Sequence, residues 1–310
     1  MRHVRNTFYS YSFLDMGSKD ASVFVAGAGR SGTTWLADFL SHVFGCRFVF
    51  EPFWQLHLSV NGEADFFHHL YLDPKDDSHD ETIRKVVEGR YRKPCANYNH
   101  RIGVCRGRIV KDICANLFLH RIQAVAPRMP IIYIRRHPCS VVLSRKRVGD
   151  WTKNWGRHAH VFLKQPKLVE VLREKVAPYL DKDMSEVEDY ALTACLENYF
   201  PSQLLGQSPK MRGVFYESLV LDFGPTVEGL VEFIRAETGM PIVRGVNQVK
   251  NYFQLCHPET RKLLSSDARS HLVSWEKELT ADEIKTVTNL FDQFGLSYYR
   301  DINAYLEQKK

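Results

Sequence analysis

Long hydrophobic runs are missing: no stretch of the 310 residues approaches the roughly 18 uninterrupted apolar residues that a bilayer-spanning helix requires. Nor does an apolar h-region follow Met1-Arg2-His3-Val4-Arg5-Asn6, so the expectation is a soluble, cytoplasmic protein without a secretory signal. No Cys-x-x-Cys pair occurs. The seven cysteines, at 46, 95, 105, 114, 139, 195 and 256, are odd in number and widely spaced, as reduced thiols would be, and they exclude a disulfide scaffold. Histidine spacing offers no metal set either. His68 and His69 are adjacent and point to different sides of any regular element, and His158 and His160 lack nearby cysteine or carboxylate partners, so no metal is expected. Charge is not lopsided: 42 Lys and Arg against 36 Asp and Glu give a net +6, and no nucleic-acid-reading motif accompanies it, so nucleic acid is excluded as a partner. The mild excess, dense only at Arg135, Arg136, Arg145, Lys146 and Arg147, suits a small anionic ligand. Repeats, low-complexity tracts and linker-like segments are absent as well, and residues 1–310 read as one domain.

The chain does have 44% hydrophobic and 12% aromatic residues, enough for a large core. Ser22-Val23-Phe24-Val25-Ala26-Gly27 reads as a buried parallel strand ending in glycines. Trp35, Leu36, Phe39, Leu40 and Val43 then fall on one face of a helix over 33–43. Further strands are predicted over 46–50, stopped at Glu51-Pro52, and over 108–111, 130–134 and 212–216. Helices are predicted over 81–90, over 116–126 with Asn116 as cap, from Pro138 to 147, over 168–207, over 225–236, and after a capping box formed by Thr280 and Glu283. This alternation implies an α/β fold, a central parallel sheet flanked by helices in a P-loop-like three-layer sandwich. Residues 1–20 read as an irregular arm. Residues 55–107 and 150–167 read as loops facing an acceptor, the second carrying Trp151 and Trp155 as a sugar-stacking or lid element.

Chemistry concentrates first at Gly27-Ala28-Gly29-Arg30-Ser31-Gly32-Thr33-Thr34-Trp35. A glycine-rich turn between strand and helix aims backbone N–H groups at one spot, and such a spot binds phosphate. The spacing of Gly27 and Gly32 matches the nucleotide-triphosphate P-loop, but Thr33 stands where that motif needs Lys, and the cation sits at Arg30 instead. That displacement disfavours a metal-dependent kinase or ATPase. The second concentration is Arg136, at a strand end, with Ser144 eight residues on, about two helical turns away. Alone, each half also has a plain structural reading.

Together, Arg30 to Trp35 with Arg136 and Ser144 resemble the superfamily of sulfotransferases that use 3′-phosphoadenosine 5′-phosphosulfate (PAPS), whose 5′-phosphosulfate loop runs Lys/Arg-Ser-Gly-Thr-Thr and whose 3′-phosphate element pairs an Arg with a Ser eight residues later. Phe215-Tyr216-Glu217 is similar to the segment whose tyrosine lies near the adenine, which Trp35 would bracket from the other side. Trp275-Glu276-Lys277-Glu278-Leu279 is similar to the family's C-terminal Trp-x-x-x-Leu stretch, which makes Arg269 the candidate for its basic loop, although the Arg-Lys-Gly of that loop is not reproduced. The Lys-Thr-His of small-molecule branches is missing, since Lys111-Asp112-Ile113 stands there. Phe50-Glu51-Pro52-Phe53-Trp54 instead resembles the Glu-Pro-Leu-Trp of carbohydrate 6-O-sulfotransferases, and Glu51 follows Arg30 by 21 residues, the spacing of the glutamate in tyrosylprotein sulfotransferases. The resemblance implies Glu51 as general base, Arg30 and Lys111 countering charge on the transferring group, PAPS as donor with 3′-phosphoadenosine 5′-phosphate (PAP) as product, no metal, and a hydroxyl acceptor on a small molecule, glycan or glycolipid. A structural Glu51 that caps a strand end or pairs with an arginine stays open, as do a P-loop kinase and a non-catalytic nucleotide- or glycan-binding protein of the same fold.

Overall fold

Alternate residues of the buried strands enter two different cores, and that period of two decides the architecture. The computed structural model describes residues 13–55, 69–91, 94–97, 100, 102–148, 158–256 and 268–309. Strand β1 (Leu14–Asp15) pairs with β4 (Val104–Cys105) in a two-stranded ribbon. The main sheet has the order β3 (Arg47–Phe50), β5 (Arg108–Lys111), β2 (Ser22–Gly27), β6 (Ile131–Arg135) and β7 (Met211–Phe215), and every pairing in it is parallel. Val23, Val25, Phe48, Ile109, Ile132 and Ile134 pack on one face. Phe24, Ala26, Val49, Val110, Ile131 and Tyr133 pack on the other. Helices cover both faces: α1 (Thr33–Phe44), α4 (Pro138–Val148), α5 (Glu186–Gln207) and α6 (Phe223–Thr238) on the first, α2 (Asp80–Val87) and α3 (Leu119–Val125) on the second. Helices α7 (Ala281–Gln293) and α8 (Tyr298–Gln308) close the chain.

The predicted strands fall within a residue of the observed ones, and the capping box is present, with Thr280 Oγ1 accepting the amide of Glu283 at 3.2 Å. Other elements differ. The helix predicted over 116–126 begins as a 3-10 turn, Cys114–Phe118, and no side chain caps α3, because Asn116 is used elsewhere. The helical stretch predicted over 168–207 is several short helices followed by α5. Of the expected arm, residues 13–20 contain β1, recruited by pairing with β4. Residues 158–163 of the second expected loop are helical, while Trp151 and Trp155 lie outside the described residues, as do 1–12 and 56–68. No helix among the described residues is long and apolar enough to cross a membrane.

Strand β2 connects through α1 to β3 on one side, and the chain later crosses back over it to β6 on the other. In such sheets this reversal opens a crevice at the carboxyl ends of the strands. Here those ends are Gly27, Phe50, Lys111, Arg135 and Phe215.

Candidate functional site

The residues next to those five strand ends form the site, starting with the turn after β2. Gly27 has φ +153°, and a Cβ there would lie 2.7 Å from the carbonyl oxygen of Ile134. Gly32, with φ +87°, is the N-cap of α1, and a Cβ there would stand 2.6 Å from the ring of Tyr216. Neither position admits another residue without displacing its neighbour. No side chain caps α1, which turns the amides of its first turn and the positive end of its dipole toward the loop. Ser31 and Thr33 are buried there, and Thr34 is exposed.

Two side chains distant in sequence, one from the 3-10 turn Cys114–Phe118 and one from α4, hold this loop from outside. Asn116 accepts the amide of Gly27 at 3.3 Å and returns a bond to its carbonyl at 3.0 Å. Arg145, 1% exposed, donates to the carbonyl of Gly29 at 3.2 Å while paired with the equally buried Glu197. Arg145 is therefore part of the loop's support and not of a solvated helix face. Neither Asn116 nor Arg145 was legible as such in the sequence, since their partners lie 89 and 116 residues away along the chain.

The loop and the Arg-to-Ser pair meet. Arg30 Nε donates to Ser144 Oγ at 3.1 Å, and Arg136 Nη1 donates to the carbonyl of Arg30 at 2.9 Å. The Arg136 guanidinium lies 4.4 Å over the ring of Tyr216, which in turn covers Gly32, so Tyr216 joins the two halves. Arg136 Nε is buried with no hydrogen-bond partner among the described residues. The next residue anchors this corner: the His137 amide donates to Glu217 Oε1 at 3.0 Å, and its ring stacks on Trp275 at 4.3 Å. Burial, with Arg136 adding to it, pushes the His137 imidazole down to about 3, so it is neutral and the corner's positive charge resides on arginine.

Trp35 is half-buried among Phe39, Phe223 and Phe253, with ring centroids 5.5, 5.8 and 6.3 Å away. Arg269 Nη2 donates to the carbonyl of Leu306 at 2.9 Å, and its Nη1 is buried with no hydrogen-bond partner among the described residues.

On the other side of β2, Glu51 and Lys111 meet across β3 and β5. Lys111 Nζ bonds Glu51 Oε1, with the two side chains 3% and 14% exposed, and Nζ lies 4.8 Å from the ring centre of Phe50. The partner of Glu51 is thus not the arginine of the structural alternative but Lys111, which the sequence reading had placed at the same site. Arg30 (φ +75°) and Glu51 (φ +42°) are the non-glycine residues with positive φ among those described. Strain of this kind costs on the order of 1–3 kcal/mol per residue and persists where the surroundings impose it, commonly at functional sites.

Together the groups offer two guanidiniums, an uncapped helix start and a lysine–carboxylate pair along one sheet edge. That set can bind an anion with two charged ends and move a proton beside it. Among the described residues there is no cluster of three or more His, Cys, Asp or Glu able to hold a metal ion.

No family model and no curated relative matches the chain. Among solved structures it is similar to the sulfotransferase domain from the Curacin biosynthetic pathway, at 18% identity and a TM-score of 0.42, over 92% of this chain and 99% of that one. It is also similar to mouse sulfotransferase SULT7A1 complexed with PAP, at 14% identity and a TM-score of 0.45, over 99% and 94% of the two chains. A third similar structure is retinol dehydratase in complex with retinol and PAP, at 12% identity and a TM-score of 0.43, over 94% and 85%. Likenesses at these levels carry no argument, and the function is read from the site's own geometry.

Proposed function

We propose that this protein is a PAPS-dependent O-sulfotransferase that transfers a sulfuryl group to a hydroxyl acceptor, a carbohydrate or glycolipid hydroxyl being the class suggested by the Glu51-Pro52 segment. The observation that carries the reading is the meeting of Arg30, Ser144 and Arg136 through bonds of 3.1 and 2.9 Å, because it joins the two motifs that would each hold one end of the donor. The residues fit such a donor chemically. The unpartnered, buried Nε of Arg136 is a donor group that an anion would satisfy, and the start of α1 offers backbone amides.

Bound PAPS would supply a sulfuryl group already activated by its anhydride link to the 5′-phosphate. In this reading Ser31, Gly32, Thr33 and Thr34 hold the 5′ end, Arg136 and Ser144 hold the 3′-phosphate, and Trp35 and Tyr216 lie on the adenine side. Arg269 is assigned to the edge of the 3′-phosphate field. Arg30 and Lys111 counter charge at the reacting centre, and Glu51 takes the proton of the acceptor hydroxyl. With Oε1 engaged by Lys111, Oε2 is the oxygen assigned to that proton.

Incubation with labelled PAPS and a panel of sugars, glycolipids, phenols, sterols and peptides, followed by mass spectrometry of the products, tests the reading. Sulfate on a hydroxyl is expected, with Glu51→Gln abolishing most turnover while PAP still binds. Full activity of Glu51→Gln would remove the glutamate from the mechanism, and phosphate release from ATP and Mg²⁺ with no use of PAPS would replace the reading by a kinase or ATPase.

A further inference from the structure

Asp112 follows Lys111 at the end of β5 and is fully buried. Its Oδ2 accepts the amide of Phe53 at 2.7 Å, two residues past Glu51. Its Oδ1 accepts the amide of Cys114 at 2.8 Å, the first residue of the 3-10 turn that carries Asn116. Asn116 in turn clamps Gly27 through both its amide and its carbonyl. Glu51 is meanwhile fixed from its own side, its amide donating to the carbonyl of Lys111 at 2.7 Å. One carboxylate therefore stands between the left-handed turn at Glu51 and the clamp on the glycine-rich loop. Burying a carboxyl group is costly unless its oxygens are bonded, and here each oxygen receives one backbone N–H. Asparagine has nearly the same volume, yet it can accept only one of these amides and turns an NH₂ group toward the other.

We infer that Asp112 is a positioning residue: it holds Glu51 in register with the glycine-rich loop, and so acts on the reaction through Glu51. This rests on the sulfotransferase reading, in which Glu51 is the base. Misplacing a reacting group by about 1 Å can lower a rate on the order of 100-fold. The role therefore predicts a loss in kcat that vanishes once Glu51 can no longer take a proton.

A double-mutant cycle tests it. Wild type, Asp112→Asn, Glu51→Gln and the double variant are compared in the conversion of PAPS to PAP with water as acceptor, and each is titrated with PAP by calorimetry. Asp112→Asn is expected to lower kcat about 100-fold. PAP affinity should stay within about twofold of wild type, and the same substitution should cost no further turnover in the Glu51→Gln background. An equal loss in both backgrounds, no loss at all, or a loss confined to PAP affinity overturns the inference. Should Asp112→Asn fail to fold, Asp112→Ser, which is smaller and keeps one acceptor, completes the same cycle. A wild type that does not bind PAP or consume PAPS overturns the sulfotransferase reading itself, whereas a wild type that does both with an additive cycle overturns only the role of Asp112.

Discussion

The Asp112 carboxyl is pushed up to about 7, first by burial and then by the negative charge of Glu51, with the amides of Phe53 and Cys114 and the ammonium of Lys111 acting the other way. Its folded pKa thus exceeds the unfolded one, so the folded protein keeps a proton that the unfolded chain releases. The contribution to stability is complete below about 4, the ordinary aspartate range. It is lost as pH rises through about 7. Wild-type stability relative to Asp112→Asn should fall between those two values, as read by urea unfolding at each pH; a flat or rising difference would contradict it. Gly32 makes a second prediction at this scale. Alanine there would adopt φ +87° and push its Cβ to within 2.6 Å of the Tyr216 ring. Gly32→Ala should cost about 1–3 kcal/mol in denaturant unfolding, from backbone strain, and weaken PAP binding. A variant with wild-type stability would show that the Tyr216 contact yields freely.

Among the elements, strands were the most legible part of the sequence: Ser22–Gly27 is a run of β-formers buried on both faces that ends at glycine, and in Arg108–Lys111 the buried Ile109-Val110 pair sits between two charges. The α3 region was not. Asn116 carries the same local signal whether it caps a helix or clamps Gly27, 89 residues away, and only the parallel pairing of β2 with β5 brings the two together. The role of Arg145 was illegible for a related reason. It sits between Ser144 and Lys146 in a basic run, where helical phase, not composition, turns it inward onto Glu197. Its pairing with Glu197 ties α4 to α5 beneath the loop. Glu197→Gln removes the counter-charge of a guanidinium that is 1% exposed and should destabilise the protein by about 3–5 kcal/mol in denaturant titration. A change below about 1 kcal/mol would mean that the pair behaves like an exposed one.

For the molecule as a whole, the two motifs stand on strand-to-helix turns separated in the chain by β3 and β5, and the sheet order supplies their meeting by placing β6 beside β2. The same order sets β5 on the opposite side of β2, which is how Lys111, Asp112 and, through β3, Glu51 come to face the glycine-rich loop. Sequence spacing told which residues carry charge; it did not tell that Arg136 reaches back to the carbonyl of Arg30 or that Tyr216 roofs Gly32. The most direct measurement is a calorimetric titration of the protein with PAP in metal-free buffer, repeated with Arg136→Ala and with ATP and Mg²⁺. Saturable binding of PAP that Arg136→Ala weakens at least about tenfold, the loss expected for a charge-assisted hydrogen bond, is the predicted result. No binding of PAP, or saturable binding of ATP only in the presence of Mg²⁺, would contradict it.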